Sequence, residues 1–228
     1  MNNIAELIKN SNSNTSSPFT SNVKALFPVP VGIYHINNFK NTYFEIDVVD
    51  TAIFTENKTQ AGVYNTKSNQ VLNDPKLKDL KETIDSMVQH FLFNTLYFPK
   101  SVKPELVCSW AAIGLGGSRV ERHMHTNSVY SGVCYLKSEG NAGRLTFHSG
   151  DNANTFCSPT VKPIVDRPIN LNSDTWTILP KTGDVFIFPS HLEHSVSEND
   201  SDKNRGILAF NYFLKGTISE DPTVSLTL

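Results

Sequence analysis

The chain reads as mostly β with flanking α structure: a double-sheet jelly roll or small barrel with one helix packed outside it. Two observations predict this. After Pro104 the sequence becomes a succession of short runs rich in β-branched and aromatic residues. They are separated by turn clusters such as Gly114-Leu115-Gly116-Gly117, Gly140-Asn141-Ala142-Gly143 and Pro180-Lys181-Thr182-Gly183. Many short strands joined this way mark a closed or two-layered antiparallel architecture. Before Pro104, one segment repeats its apolar residues with the period of a helix. A length of 228 residues suits one sizeable core, and there is no internal repeat.

Residues 1–22 are rich in Asn, Ser and Thr and include Ser11-Asn12-Ser13-Asn14-Thr15-Ser16-Ser17. Such a stretch buries too little apolar surface to offset the entropy of ordering and is expected to be a disordered tail. One domain is expected over 23–228, with a strand and helix region at 23–104 and a β core at 105–215. Order should begin near Leu26-Phe27-Pro28-Val29-Pro30-Val31-Gly32-Ile33-Tyr34-His35, where the prolines restrict the run to a sheet edge. From Asp74 to about Phe98, Leu77, Leu80, Ile84, Met87, Val88 and Phe91 recur at three- and four-residue steps, with Lys78, Lys81 and Glu82 on the other face. Pro99 stops this helix. Strands are expected at Leu106–Ile113, Ser128–Lys137, Gly143–His148, Thr175–Leu179, Asp184–Phe188 and Gly206–Leu214. The turn-rich stretch from Asn152 to Ser173 is either a lid or an edge loop.

A formal charge of -2, with no basic block, offers no footprint for nucleic acid or an anionic membrane. No apolar run approaches the roughly 20 residues of a membrane span, and the N-terminus has no signal-peptide layout, so a cytoplasmic setting is expected. Cys108, Cys134 and Cys157 form no C-x-x-C pair. Cys108 and Cys134 lie in apolar runs, as buried thiols do, and an odd, widely spaced set fits a reducing compartment.

The chemistry is concentrated in four polar positions. In a strand, His123 and His125 of His123-Met124-His125 face the same side about 6–7 Å apart, within reach of one metal ion. His-x-His alone is common by chance. Here a tight turn at Pro180-Lys181-Thr182-Gly183-Asp184 feeds the apolar run Val185-Phe186-Ile187-Phe188, which delivers Pro189-Ser190-His191-Leu192-Glu193-His194. His194 would supply a third imidazole from a distant strand. After a turn through Ser197 to Asn204, Arg205 opens the next run, and in a regular strand Arg205, Ile207, Ala209 and Asn211 share one face. The planar donor fork of arginine suits two-point capture of a carboxylate. Together these features predict a redox metal site with an anion-binding floor.

The ordered set Ser109-Trp110-Ala111, His123-x-His125-x-Asn127-Ser128, Ser131-Gly132-Val133-Cys134-Tyr135-Leu136, Gly143-x-Leu145-x-Phe147, Pro180-x-x-Gly183-Asp184, Phe188-Pro189-Ser190, His194-x-Val196 and Arg205 ahead of Ala209-Phe210-Asn211 resembles the 2-oxoglutarate/Fe(II) oxygenase family of marine bacteria and their phages. Leu26-Phe27-Pro28-Val29-Pro30-Val31 is similar to that family's first segment, so the resemblance covers about residues 26–214.

The resemblance implies a cupin-like double-stranded β-helix, related to the prolyl hydroxylases, that binds Fe(II) with 2-oxoglutarate and O2 as cosubstrates. His123 falls at the first ligand position, His125 at the position usually held by a carboxylate, and His194 at the distal position. Arg205 falls where the superfamily pairs a basic residue with the far carboxylate of 2-oxoglutarate. The implied activity is a dioxygenase hydroxylating a C–H bond, with a prolyl or other peptide side chain as the expected substrate.

The chain departs from the pattern twice. His125 replaces an acid, with Glu121, of the same strand parity, as a carboxylate alternative. Ile207 stands where many relatives carry a hydroxyl, so the cosubstrate's second donor is sought at Tyr135, Asn127 or Asn211. Trp110 reads as core, with a pocket wall as the alternative. Tyr135 reads equally as a core phenol, and Asn211, if buried, needs hydrogen-bond partners. His148 and His191 read as surface or supporting positions, and His35 and His90 have no context. Two other functions fit the residues: a three-histidine cupin-like dioxygenase that uses no 2-oxoglutarate, and a non-catalytic jelly-roll binding or structural module.

Overall fold

The computed structural model describes residues 22, 23, 25, 28–149, 164–169 and 171–217. The expected tail at 1–21, Cys157 and most of the Asn152–Ser173 stretch lie outside the described residues. In chain order the elements are β1 (Gly32–His35), β2 (Phe54–Glu56), β3 (Val63–Thr66), α1 (Lys78–Gln89), β4 (Lys103–Gly114), β5 (Val120–His123), β6 (Tyr130–Lys137), β7 (Leu145–His148), β8 (Thr175–Ile178), β9 (Asp184–Pro189), β10 (His194–Val196) and β11 (Arg205–Lys215). They form a seven-stranded sheet, β1-β9-β6-β11-β4-β3-β2, and a four-stranded sheet, β5-β10-β7-β8. All named strand pairs are antiparallel. The double-sheet jelly roll expected from the sequence is therefore the fold. Among the described residues no helix is long and apolar enough to cross a membrane.

The central strands β6, β9 and β11 of the large sheet are buried on both faces, and their sequence alternation sorts side chains between them. Outward, Cys134, Leu136, Val185, Ile187, Leu208, Phe210 and Tyr212 join one core with Leu80, Ile84, Val88, Phe91 and Leu92 of the helical region. Inward, Tyr135, Phe186 and Phe188 pack with Leu145 and Phe147 of the small sheet. β1 does take the sheet edge that its prolines predict, pairing only with β9.

The helix is shorter than its periodicity suggests. Asp74 accepts a hydrogen bond from the Lys76 amide (2.9 Å) and Pro75 follows it, so Pro75–Leu77 forms a tight 3-10 turn before α1 begins. Past Gln89 the backbone widens into a π turn at His90–Thr95, and the Leu96 amide reaches back to Phe91 (3.0 Å). This turn keeps the consecutive Phe91 and Leu92 both buried. Tyr97, at φ 56°, ends it two residues before Pro99.

β2 and β3, which the sequence reading omitted, form a hairpin on the far edge of the large sheet. Gly132 marks the tightest approach in the outer layer. A Cβ there would lie 2.3 Å from Cε2 of Phe210 and 2.7 Å from the Phe186 carbonyl oxygen. Gly132→Ala is therefore expected to overpack this layer and lower the unfolding free energy by about 1–3 kcal/mol. Urea denaturation measures it, and an unchanged midpoint would contradict the packing described.

Candidate metal centre

The small sheet brings two of the three histidines into register. His123, the last residue of β5, is the direct cross-strand partner of His194, the first of β10. Such partners share a face, and this face looks across to Phe188 of the large sheet, whose ring centroid is 4.7 Å from that of His194. His125 lies beyond β5, anchored by its backbone amide donating to the Ser190 carbonyl (2.9 Å). The ring centroids are 4.3 Å apart for His123 and His194, 5.1 Å for His125 and His194, and 5.4 Å for His123 and His125. One nitrogen from each ring lies within 4.8 Å of the other two.

Hydrogen bonds fix the tautomer of all three rings. Nδ1 of His123 lies 2.8 Å from the Glu121 carbonyl, Nδ1 of His194 lies 3.0 Å from the Leu192 carbonyl, and Nδ1 of His125 lies 2.7 Å from Oδ1 of Asn211. Those oxygens can only accept, so each Nδ1 carries the proton and each Nε2 lone pair is free to bind a metal. Glu121 contributes its carbonyl and not its carboxylate. The latter is exposed and paired with Arg119 at 2.7 Å, so the carboxylate alternative considered from strand parity does not reach the site.

The floor of the site is the inner face of β11. Arg205, Ile207 and Ala209 line one cavity of about 290 Å³ together with the three histidines. Register places Gly114 beside Arg205, Ala112 and Tyr135 beside Ile207, and Trp110 and Val133 beside Ala209. All of these line the same cavity. Trp110 is thus a wall rather than core, with its ring 5.7 Å from that of His125. Asn57, Gln60 and Asn65 of the β2–β3 hairpin region complete the lining. The sequence reading missed them because runs of three and four residues carry almost no periodic signal.

Arg205 is only 4% exposed. It donates through Nη1 to the Ala142 carbonyl and pairs with no carboxylate among the described residues. Gly114 and Gly143 make room for the guanidinium, since a Cβ at either would come within 2.8 Å and 2.6 Å of its nitrogens. Gly143 has φ 96°, a conformation that also favours glycine. Burial pulls the pKa of this group down from its ordinary value, and an unpaired buried cation is costly unless an anion arrives. Next to it, the Oγ of Ser118 is buried and has no hydrogen-bond partner. It flanks the same face of Gly114 as the guanidinium, 2.7 Å from where a Cβ would stand. Nothing in the sequence marked Ser118. Asn199, 1% exposed, holds the turn into β11 by donating to Lys203 (2.8 Å) and Leu115 (3.2 Å) carbonyls.

The three candidate second donors part company. Tyr135 is buried, lines the cavity, and its hydroxyl pKa is raised by burial despite the opposing pull of the Arg205 charge. Asn127 is a correction: it is exposed on a left-handed turn at φ 57°, outside the cavity lining. Asn211 is another, since its Oδ1 is committed to His125 and Ser131 and its Nδ2 to Cys108, and it does not line the cavity. Of the remaining histidines, His148 bonds Ser195 (2.9 Å), His35 pairs with Asp184 (2.8 Å), His90 meets the Tyr34 hydroxyl (3.1 Å), and His191 is exposed.

Burial, and then the neighbouring His123, push the pKa of metal-free His194 from 6.5 down to about 3. Burial likewise lowers His125. Between those limits the unfolded chain protonates His194 and the folded chain does not, so stability falls as pH falls below 6.5 and recovers above it. The slope from this residue is about 1.4 kcal/mol per pH unit. The melting temperature of metal-free protein should therefore drop between about pH 7 and about pH 5. His194→Phe should flatten the drop, and parallel profiles for the two proteins would refute the assignment.

Comparison with known proteins agrees with this geometry. Residues 108–211 match the family described as "Putative 2OG-Fe(II) oxygenase". No curated protein matches the chain. Among solved structures, HygX from Streptomyces hygroscopicus, with nickel, 2-oxoglutarate and hygromycin B bound, is 10% identical with a TM-score of 0.51, over 81% of this chain and 83% of its own. The non-heme alpha ketoglutarate dependent epimerase SnoN from nogalamycin biosynthesis is 12% identical with a TM-score of 0.50, over 72% of this chain and 66% of its own. At such identities these two structures bear on the fold alone. All three histidines and Arg205 fall within the segment that resembles the 2OG-Fe(II) oxygenase family.

Proposed function

We propose that this protein is an Fe(II)- and 2-oxoglutarate-dependent dioxygenase that hydroxylates a C–H bond, with His123, His125 and His194 as metal ligands and Arg205 as the anchor of 2-oxoglutarate. The observation that carries this reading is the buried, unpaired Arg205 in the same cavity as three Nε2 lone pairs. The donor set fits a ferrous ion, since neutral imidazoles are ordinary ligands for it. The guanidinium fits a dicarboxylate whose other end reaches the metal. When bound, iron and 2-oxoglutarate supply O2 activation coupled to oxidative decarboxylation, which yields succinate, CO2 and one oxygen atom inserted into a C–H bond.

The chain's own residues do the rest. Arg205 neutralises and orients the far carboxylate. Tyr135, which lines the cavity beside it, is the hydroxyl donor in place of the one missing at Ile207. Ile207, Ala209, Val133 and Leu145 keep the cavity apolar between its two polar ends. Beside them, Trp110, Asn57, Gln60 and Asn65 offer an aromatic surface and amides, and no carboxylate lines the cavity among the described residues. We assign to it an uncharged side chain presented by a polypeptide, with proline as the leading case. Cys108 and Cys134, both free thiols, suit a reducing cytoplasm.

The two other functions lose ground on specific features. A three-histidine dioxygenase without 2-oxoglutarate leaves Arg205 with no anion to bind, and a non-catalytic module leaves three aligned Nε2 lone pairs without purpose. An anaerobic titration with Fe(II) and 2-oxoglutarate tests the reading through the visible metal-to-ligand band of the chelated keto acid. The band should saturate at one equivalent and vanish in His194→Ala. In Arg205→Ala, loss of a buried charge contact of about 2–5 kcal/mol should raise the 2-oxoglutarate Kd by more than roughly tenfold. Iron binding without the band would favour the three-histidine alternative, and no iron binding would sink both.

A further inference from the structure

We propose that Asn211 is the positioning residue that makes His125 a metal ligand and keeps that ligand neutral. The inference rests on the metal reading of the triad.

The three histidines are not held alike. His123 and His194 each give Nδ1–H to a backbone carbonyl two residues earlier, at Glu121 and Leu192. Those acceptors come with the chain itself and survive almost any substitution. His125 lies past the end of its strand and has no such carbonyl. Its Nδ1–H goes to a side chain 86 residues away, Oδ1 of Asn211, at 2.7 Å. It is the one ligand whose orientation depends on a side chain.

The amide that receives it is fixed on every side. Asn211 is 6% exposed, and its register partners on the neighbouring strands are Cys108 of β4 and Ser131 of β6. Both are also its hydrogen-bond partners: Ser131 Oγ donates to Oδ1 at 2.7 Å, and Nδ2 points to Sγ of Cys108 at 3.3 Å. Ser131 has one hydroxyl proton, so the 2.9 Å contact between the Ser131 and Ser190 hydroxyls runs from Ser190 to Ser131. Ser190 in turn accepts the His125 backbone amide at 2.9 Å. With the amide oxygen toward the imidazole, every polar group along the path Ser190, Ser131, Asn211 and His125 has a partner. The register of β11 against β4 slips between Asn211 and Tyr212, a bulge of the kind that re-aims a side chain next to a site.

Asparagine rather than aspartate has a consequence for charge. A carboxylate in that place would draw the Nδ1 proton and make Nε2 more basic, as carboxylates behind metal-bound histidines do. The neutral amide orients the ring without adding negative charge, so His125 donates as a plain imidazole from the position usually held by an acid.

The test is Co(II) binding to the full-length, metal-free protein, read from the visible spectrum and from competition with a chelator. Asn211→Leu should weaken Co(II) binding by about 10–100-fold and alter the spectrum, because His125 loses its orientation. The near-isosteric Asn211→Asp should keep the spectrum and bind Co(II) more tightly than wild type. It remains informative where the leucine variant fails to fold. Ser131→Ala, which removes one bond to the amide but not the one to His125, should cost less than roughly tenfold. Wild-type Co(II) affinity and spectrum in folded Asn211→Leu, or weaker binding in Asn211→Asp, would overturn the proposal. His194→Ala separates the two levels: if it too binds Co(II) like wild type, the metal reading fails, whereas loss there with no effect at Asn211 refutes only the positioning role.

Discussion

The constraint on which the rest depends is that β11 must serve two cores at once. It is the middle strand of the large sheet, hydrogen-bonded to β4 on one side and β6 on the other. Its outward residues Leu208, Phe210 and Tyr212 lock onto the helical layer, while Arg205, Ile207, Ala209 and Asn211 are left for the inside. A slip of one residue would put the arginine and the amide into the apolar outer core and the phenylalanine into the site. Register in this strand is thus enforced from both faces, and the functional groups inherit that precision. The spacing of the site follows from it: Asn211 meets His125, Arg205 closes the far end, and two small or apolar side chains separate them along one strand.

The site is held in a form that opposes folding. The imidazoles of His125 and His194 are desolvated close together, which favours their neutral forms, and a guanidinium is buried with a single carbonyl for company. Each is costly without a ligand. The outer core, with Ile84, Phe210 and Ile113 fully buried, offsets that cost at a distance from the chemistry. Any ligand that binds only the folded chain returns stability in proportion to its occupancy. Strain of this sort is expected where a cavity is built in advance for a cation and an anion together.

How much was legible follows from periodicity and its limits. The strands of the β core were readable because each alternates between two buried layers and is bounded by turn residues, as at Pro180-Lys181-Thr182-Gly183 before β9. Motif order brought His123, His125 and His194 to attention, but β5 ends at His123, so the two-residue spacing did not itself put His125 beside it. The π turn was not readable, since Phe91-Leu92 looks the same in either helix type. Ser118 and Asn199 were invisible because isolated polar residues in a Gly- and Asn-rich stretch look like any loop. Trp110 and Asn211 show the deeper limit: the sequence placed both on particular strands, but whether an inward residue meets core, cosubstrate or ligand depends on which strand lies across from it.

That limit bears directly on the third ligand. With an acid in the His125 position the ferrous centre would carry a single positive charge, and a dianionic cosubstrate would make it negative. On the proposed reading, three neutral nitrogens leave the ion its double charge, which the dianion would offset. The opposite charges then attract where screening is weak, so metal and cosubstrate each raise the other's affinity by the same factor, as linkage requires. On the proposed reading, Arg205 adds its own positive charge at the far carboxylate, and the amide of Asn211 orients His125 without a charge of its own. Replacing the acid by histidine thus leaves the proposed site one positive charge richer, Arg205 included, and the group behind His125 is an amide that leaves that charge in place.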